Sequence, residues 1–344
     1  MGTRICSELA SPKWSTGNGM ARNTMTGRTL IEKYWFFIGI AVMAITAFSF
    51  PKVGAAIRTF RLLDIGIFTA FLFTGLTLET SSILRQMRDV KVLAAALFSS
   101  LLLFPAVAYG LATVVFRGMP DFAVGVLIIG VAPVTIASGT VMTAIAMGNV
   151  PLSLFICVFG NFSSILTIPI LLNAILRFGG EAISMPVLQM LFSLSVKVVI
   201  PTVIGQILRP WLKEVLAPHK MKISVFNQCI VLLIILNAVA SSTDRILEAG
   251  GAIGLVAGFM VFIHMLMLAV NFGISRLIRL DAASTSAFTI HTSQKTLTIS
   301  YLVWSGYFAV AFPMAMIPGI AYHLTQMIAD TMVANWFSGR TDRN

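Results

Sequence analysis

Charge is scarce in this chain. Of its 344 residues only 11% are Asp, Glu, Lys or Arg, and just 13 are acidic. Set against 57% hydrophobic residues and a mean hydropathy of +0.91, so low a charged fraction excludes an ordinary soluble domain. Cysteine is scarce too: Cys6, Cys157 and Cys229 stand far apart without a CxxC spacing, which indicates neither a disulfide framework nor a zinc site. The sequence has no HExxH, no GxSxG and no paired carboxylates within an apolar run, which argues against a membrane enzyme. A repeated filter-like loop or ring-forming acidic motif, as a channel would need, is also missing.

Long apolar runs are what the chain does have. Ten of them, bounded by charge or Gly/Pro clusters, cover residues 34–51, 62–80, 91–116, 121–147, 150–176, 185–208, 223–242, 252–275, 282–304 and 307–335. A membrane span needs about 20 apolar residues, so these runs leave only short connections and no room for a large soluble domain. Backbone polar groups in hydrocarbon must be paired internally, and the period-2 alternation of a barrel is absent, so the spans are helices. The expected fold is an all-α polytopic membrane protein: a ten-helix bundle over 34–335, a polar tail over 1–33 and a short tail over 336–344.

The basic residues report orientation. Of the 24 Lys and Arg, 16 fall on the side that carries the termini, among them Arg85, Arg88, Arg209, Lys213, Arg276 and Arg340. Six fall on the other side (Lys52, Arg58, Arg61, Arg117, Arg177, Arg245), which puts both termini in the cytoplasm of a plasma (inner) membrane. The net charge of +11 is therefore a topology signal, and the expected partners are the bilayer and a solute rather than nucleic acid. Residues 1–33 lack the apolar core of a secretory signal and read as a disordered cytoplasmic tail or an over-long start, with Met20 and Met25 as alternative initiators and an organelle transit peptide as the alternative.

Two runs carry polar residues in their middles. The fourth reads Pro133-Val134-Thr135-Ile136-Ala137-Ser138-Gly139-Thr140, and the ninth reads Ser286 through Thr296 with His291, Ser293, Gln294 and Lys295 inside it. Four and nine are equivalent places when ten spans are cut into halves of five, and an odd number of spans per half makes the halves inverted. Interrupted helices at matching positions point to an inverted-repeat secondary transporter whose half-helix ends bind solute and ions at the midplane. Pro133 removes a backbone donor and Gly139 lowers the cost of non-helical dihedrals. The bland alternative is that small residues in these runs serve close helix packing.

Lys295 stands 13 residues after Ala282 and 9 before Trp304, about 14 Å of helix from the nearer end, too deep to snorkel. Such an ammonium must face protein or a water-filled cavity. Lys197, 12 residues after Met185, is equally deep in the sixth run and has no obvious partner. Asp64 and Asp330 lie nearer span ends and read as interfacial or functional alike; His264 and His323 read as satisfied interior histidines. His291 adjoins the predicted break, where a neutral imidazole can relay protons.

The order and spacing of several segments resemble the bile acid:sodium symporter superfamily, closer to its SBF-like branch. They are Ala132-Pro133 with Thr143 to Ser153 around the fourth and fifth spans, Gly75-Leu76-Thr77-Leu78-Glu79-Thr80, Phe104-Pro105, Ser293-Gln294-Lys295-Thr296-Leu297, Trp35 to Ile40, and Tyr322-His323 followed by Gln326. The resemblance implies two inverted five-helix repeats, a panel of helices 1, 2, 6 and 7, and a core of helices 3–5 and 8–10 whose discontinuous fourth and ninth helices cross. In sodium-coupled members cations sit at that crossing. Carried over by position, Ser138, Gly139 and Thr140 lie at the fourth-helix break, Ser153 on the fifth helix, Ser293 and Gln294 at the ninth-helix break, and Ser100 where relatives place a third-helix amide; Pro133, Thr135, His291 and Lys197 are secondary candidates.

Two departures stand out. Ile290 occupies the place of a carboxylate four residues before Gln294, and Cys157 replaces a fifth-helix hydroxyl. Sodium prefers hard oxygen donors, so their loss together with the gain of Lys295 points either to an ammonium doing sodium's electrostatic work, with coupling to protons or absent, or to a structural pin hydrogen-bonded to helix-end carbonyls; sodium or a proton stands as the possible coupling ion. The expected function is a secondary active transporter of a small organic anion, bile acid or steroid-like or another carboxylate, working by alternating access. The alternative is a non-transporting membrane regulator or solute sensor that retains the symporter fold.

Overall fold

The computed structural model describes residues 27–78, 90–135, 137–178 and 186–341. Most of the N-terminal tail, Glu79, Thr80, Arg85, Arg88 and Arg343 lie outside the described residues, and so do the readings that rest on them. The chain divides into a unit that ends at Gly39 and a unit that runs from Ile40 to Asn344. Within the first, Trp35, Phe36 and Phe37 stack edge to face, with ring centroids 6.1 and 6.2 Å apart.

The described residues are helical and contain no strand. In chain order the helices are α1 (Gly27–Ser49), α2 (Lys52–Thr59), α3 (Leu62–Thr77), α4 (Val90–Val115), α5 (Pro120–Val131), α6 (Ala137–Ile145) and α7 (Val150–Phe178). Next comes α8, over residues 187–216, made of Val187–Leu194 and Ile200–Leu216 joined by a π-turn at Ser195–Val199. The remainder are α9 (Lys220–Ala240), α10 (Thr243–Ala249), α11 (Gly251–Leu277), α12 (Ala282–Ser293), α13 (Leu297–Val303) and α14 (Ile317–Thr341). Among the described residues, four continuous helical stretches are long and apolar enough to cross a membrane: Val90–Val115, Val150–Leu176, Val187–Ala240 and Gly251–Leu277; Trp35–Ser49, Leu62–Thr77 and Pro120–Val131 are shorter apolar helices. Length, apolarity and internal hydrogen bonding identify a polytopic membrane protein.

Both suspected spans are interrupted. The first half-helix of the fourth, α5, is buried on every side from Phe122 to Val131, as expected of a helix apolar all round. It stops because Pro133 disfavours helical dihedrals at the residue before it: Ala132 is extended, with φ −63° and ψ 148°. The ninth span stops with neither Pro nor Gly nearby; Gln294 (φ −77°, ψ 154°) and Thr296 (φ −86°, ψ 122°) are extended between α12 and α13. The two breaks touch, since the Thr296 N–H donates to the Pro133 carbonyl at 2.8 Å.

Around them α4, α5, α11 and α14 share one apolar cluster with Phe104, Phe122, Met260 and Tyr322, while α4, α7 and α12 share another with Ala96, Phe155 and Phe288. The helix α3 packs on α8 and α9. Gly205 of α8 lies so close to α3 that a side chain there would meet the Leu72 carbonyl. Close approach of this kind is how helices in lipid gain van der Waals contact, since burial from lipid offers little hydrophobic drive. The tenth run differs from expectation. Residues 309–316 are largely turns, and α14 begins only at Ile317 and continues to Thr341.

Candidate functional site

The fourth-span break leaves a row of carbonyls without helical donors, and each finds a partner. Ala132 O accepts the Lys295 ammonium at 2.9 Å, Pro133 O the Thr296 N–H at 2.8 Å, and Val134 O the Asn161 amide at 3.2 Å. Thr135 O takes the long Cys157 thiol contact at 3.7 Å. At the ninth-span break the side-chain amide of Gln326 stands in for a neighbouring backbone: its Oε1 accepts the Lys295 N–H at 2.9 Å and its Nε2 donates to the Lys295 carbonyl at 3.0 Å. Tyr322 donates to the Ser293 carbonyl at 2.5 Å. The unwound chain is thus held by side chains far away in sequence.

Lys295 is fully buried and, among the described residues, has no carboxylate beside it. Its Nζ donates to Ser100 O at 2.5 Å and Ser100 Oγ at 3.2 Å, besides Ala132 O, and lies 4.4 Å from the centre of the Phe104 ring. The Ser100 carbonyl is available for a covalent reason. It sits in a π-turn, Phe98–Leu103, where Phe104 N–H bonds back five residues to Ser99 O. The donor due to Ser100 O in that register would be residue 105, and Pro105 has no N–H. Carbonyl dipoles and an aromatic face together replace part of the ammonium's hydration.

Gln294 joins the two half-spans. Its Oε1 accepts from Thr135 Oγ1 and, at 3.0 Å, from Ser138 Oγ, while those two hydroxyls are 2.6 Å apart. Its Nε2 donates to Asp330 Oδ2 at 2.6 Å. Asp330 Oδ1 is paired with His264 Nε2 at 2.8 Å, and His264 Nδ1 with the Tyr322 hydroxyl at 2.8 Å; Asp330 and His264 are both fully buried. A second hydroxyl set lies one turn away, where His291 Nδ1 bonds Ser153 Oγ and Thr143 Oγ1 reaches Ser153 at 3.3 Å. Ser293 Oγ accepts from Asn271, whose Oδ1 takes a hydrogen bond from Ser99.

A profile of the SBF-like CPA transporter family matches residues 34–338. The chain belongs to that family. It is also 24% identical over 330 residues to the sodium/bile acid cotransporter 7-B of Xenopus laevis, which covers 90% of this chain and 94% of the relative. With the probable chloroplastic sodium/metabolite cotransporter BASS4 of Arabidopsis thaliana it shares 27% identity over 302 residues, 84% of this chain and 69% of that protein. The sodium/bile acid cotransporter 7 of Danio rerio is 24% identical over 328 residues, 90% of this chain and 96% of its own length. Family and relatives are transporters and not enzymes.

Within this SBF-like transporter, Thr135, Ser138, Gly139, Ser153, His291 and Gln294 form one continuous cluster by way of Thr143, Pro133 accepts from Thr296, and Ser100 meets Lys295. Thr140, half-buried, follows on the same turn, and Ser293 faces Asn271. Two expectations are corrected, at Gly139 and at Lys197. Gly139 is helical, with no left-handed dihedral; a Cβ there would fall 2.6 Å from His291 Nδ1, so the position needs room. Ile290, in the place of the missing carboxylate, packs in an apolar cluster with Met142, Ala146 and Ala334. Lys197 is neither buried nor partnerless: it pairs with Asp64 at 2.9 Å, with side-chain exposures of 39% and 51%, away from the crossing.

Asp330, His264, Gln326 and Asn271 were not expected at this site. A signal exists for two of them. Tyr322, Gln326 and Asp330 are spaced four apart, which stacks them on one face of a helix.

Proposed function

We propose that this chain is a secondary transporter that carries a small organic anion, a bile acid or steroid-like compound or another carboxylate, by alternating access around the crossing of its two interrupted helices. The observation that carries the reading is Lys295, a buried ammonium with no carboxylate partner among the described residues, held at the junction of both breaks by carbonyls and a ring. A charge so placed is expensive in a membrane interior unless it serves a pathway, and its sign favours an anion. The names of the relatives, which speak of sodium with bile acid or metabolite, favour a solute of that kind.

A route to the site is supported by the crevice between α3, α8 and α7, lined by Phe71, Thr74, Val158, Asn161, Phe162 and Thr202. Its walls are mostly apolar, which suits an apolar solute body, and Asn161 links it to the fourth-span break. With about 20 Å³ of room it holds about one water, so the helices α3, α8 and α9 must move against the rest for a solute to pass. We assign α1, α3, α8 and α9 to the panel and the remaining spans to the core, with both termini cytoplasmic.

The ammonium takes over the electrostatic work that sodium does elsewhere, because the carboxylate position is Ile290 and the third-helix contact goes to Lys295. Uptake of taurocholate into proteoliposomes, with sodium replaced by potassium, tests this. Uptake that continues supports the substitution, and strict sodium dependence sinks it. Anion-induced thermal stabilisation with no flux of any anion would instead favour a sensor that keeps the symporter fold.

A further inference from the structure

Asp330 and His264 come from α14 and α11, far from either half-span in sequence, yet they form a closed relay into the crossing. The order is Tyr322 hydroxyl, His264, Asp330, Gln294, then the Thr135 and Ser138 hydroxyls. We propose that the Asp330–His264 pair is the proton-carrying site of the transport cycle, loading one proton for each monovalent anion moved. The proposal rests on the transport reading above and names its coupling device.

Charge balance carries it. Tyr322 gives its one proton to Ser293 O, so His264 Nδ1–H donates to Tyr322 and the bond between His264 Nε2 and Asp330 Oδ1 needs a further proton, the loaded one; without it the fully buried charges at the crossing are the Lys295 ammonium and the Asp330 carboxylate, which sum to zero. A monoanion bound at Lys295 alone would leave one uncompensated negative charge in the membrane interior, which is costly. One proton taken from the aqueous phase by the pair restores zero. It rests on Asp330 as a carboxylic acid that donates to the neutral His264 imidazole, and the same proton leaves on the opposite side with the anion.

Gln294 supplies the mechanical link. Ionised Asp330 orients its amide, Nε2 toward the carboxylate, so that Oε1 faces both hydroxyls of the fourth span and ties the half-spans together. Protonation weakens that charge-assisted bond and loosens the tie.

Other titratable groups on the packed elements are engaged elsewhere. His291 of α12 bonds Ser153, and the ammonium of Lys295 in the break that follows bonds Ser100 and Ala132. On α14 itself His323 meets Gln326, and Arg340 lies over Trp336. Asp121 of α5 caps the Met314 N–H, and Tyr301 of α13 donates to Asn237. Arg276 lies in the last turn of α11, Lys220 and Lys222 open α9 with Cys229 later in it, and α6 carries no titratable residue.

Infrared difference spectra of the full chain in nanodiscs, acid against alkaline, read the site without any solute. A protonated-carboxyl C=O band should appear on acidification, be lost in Asp330→Asn, and titrate at a shifted pH in His264→Gln. A spectrum with no Asp330-dependent band overturns the proposal, as does a band whose titration His264→Gln leaves unmoved. The second variant keeps the test decisive if Asp330→Asn does not fold. In proteoliposomes with a trapped pH dye, taurocholate entry should change the lumen pH in the wild type by about one proton per taurocholate, and that ratio should fall toward zero in Asp330→Asn whatever its uptake rate. Flux without that pH change overturns the coupling alone, whereas absence of taurocholate flux counts against the transport reading and leaves the infrared result to decide the site.

Discussion

Single atoms carry most of the chemistry at the crossing. Removing the Lys295 charge by Lys295→Met leaves the Ser100 and Ala132 carbonyls without their donor and an anion without its counter-charge. Two unit charges about 4 Å apart at an effective dielectric of about 20 attract by about 4 kcal/mol, so taurocholate uptake should fall well over tenfold, and the orphaned carbonyls should lower the melting temperature. Liposome flux and a thermal melt on the same sample check this. Gly139→Ala puts a methyl against the His291 ring, where it cannot be absorbed without moving the Ser153 contact; a loss of about 1–3 kcal/mol is expected in denaturant unfolding. Outside the spans, partial burial pushes the Asp281 carboxyl's pKa up, but hydrogen bonds from Ser284 and Ala283 outweigh it and hold the group below its ordinary value. That stabilisation is present above the unfolded carboxylate value of about 3.9 and is lost as pH falls through the folded value. Asp281→Ala should cost about 1 kcal/mol at neutral pH and nothing in strong acid.

At the scale of elements, the two breaks have different causes. In the fourth span the chain itself stops the helix, because Pro133 forces Ala132 out of the helical region. In the ninth span nothing local does: Ser293-Gln294-Lys295-Thr296 could continue α12 into α13, and what holds it open is the Gln326 amide on α14. Gln326→Leu should therefore orphan a buried N–H and a buried C=O, at about 1–3 kcal/mol each, and allow the ninth span to become continuous. Faster loss of activity on heating, and altered hydrogen exchange at Lys295 and Thr296, are the readouts. The pairing of Pro105 with the π-turn of α4 is a further local device, since it frees the Ser100 carbonyl for a ligand from another helix.

For the molecule as a whole, the composition and the apolar runs already required a helical membrane bundle, because only helices and closed barrels satisfy backbone groups in lipid and the period-2 alternation of a barrel is absent. The sorting of basic residues by side expects a C-terminal fusion reporter to give a cytoplasmic signal; a signal from the opposite face would reverse the topology. The fourth-span break, Lys295 and the cluster of Ser138, Ser153 and Gln294 were legible in the chain, since proline, buried charge and polar residues inside apolar runs are local signals. Asp330 and His264 were less legible: the four-residue spacing of Tyr322, Gln326 and Asp330 marks a helix face without saying what it meets, and His264 looks like a lone interior histidine. What makes them a site is a contact between residues 66 positions apart, followed by one 36 positions away to Gln294. Lys197 shows the converse: deep by counting, it is half-exposed beside Asp64 because depth along a helix does not say which face meets protein. The sequence by itself determined the membrane, the helices and the fourth-span break, all consequences of local covalent and solvation chemistry. Only the tertiary structure decided which buried charges meet and how the ninth span stays open, because those depend on side chains brought together from distant helices.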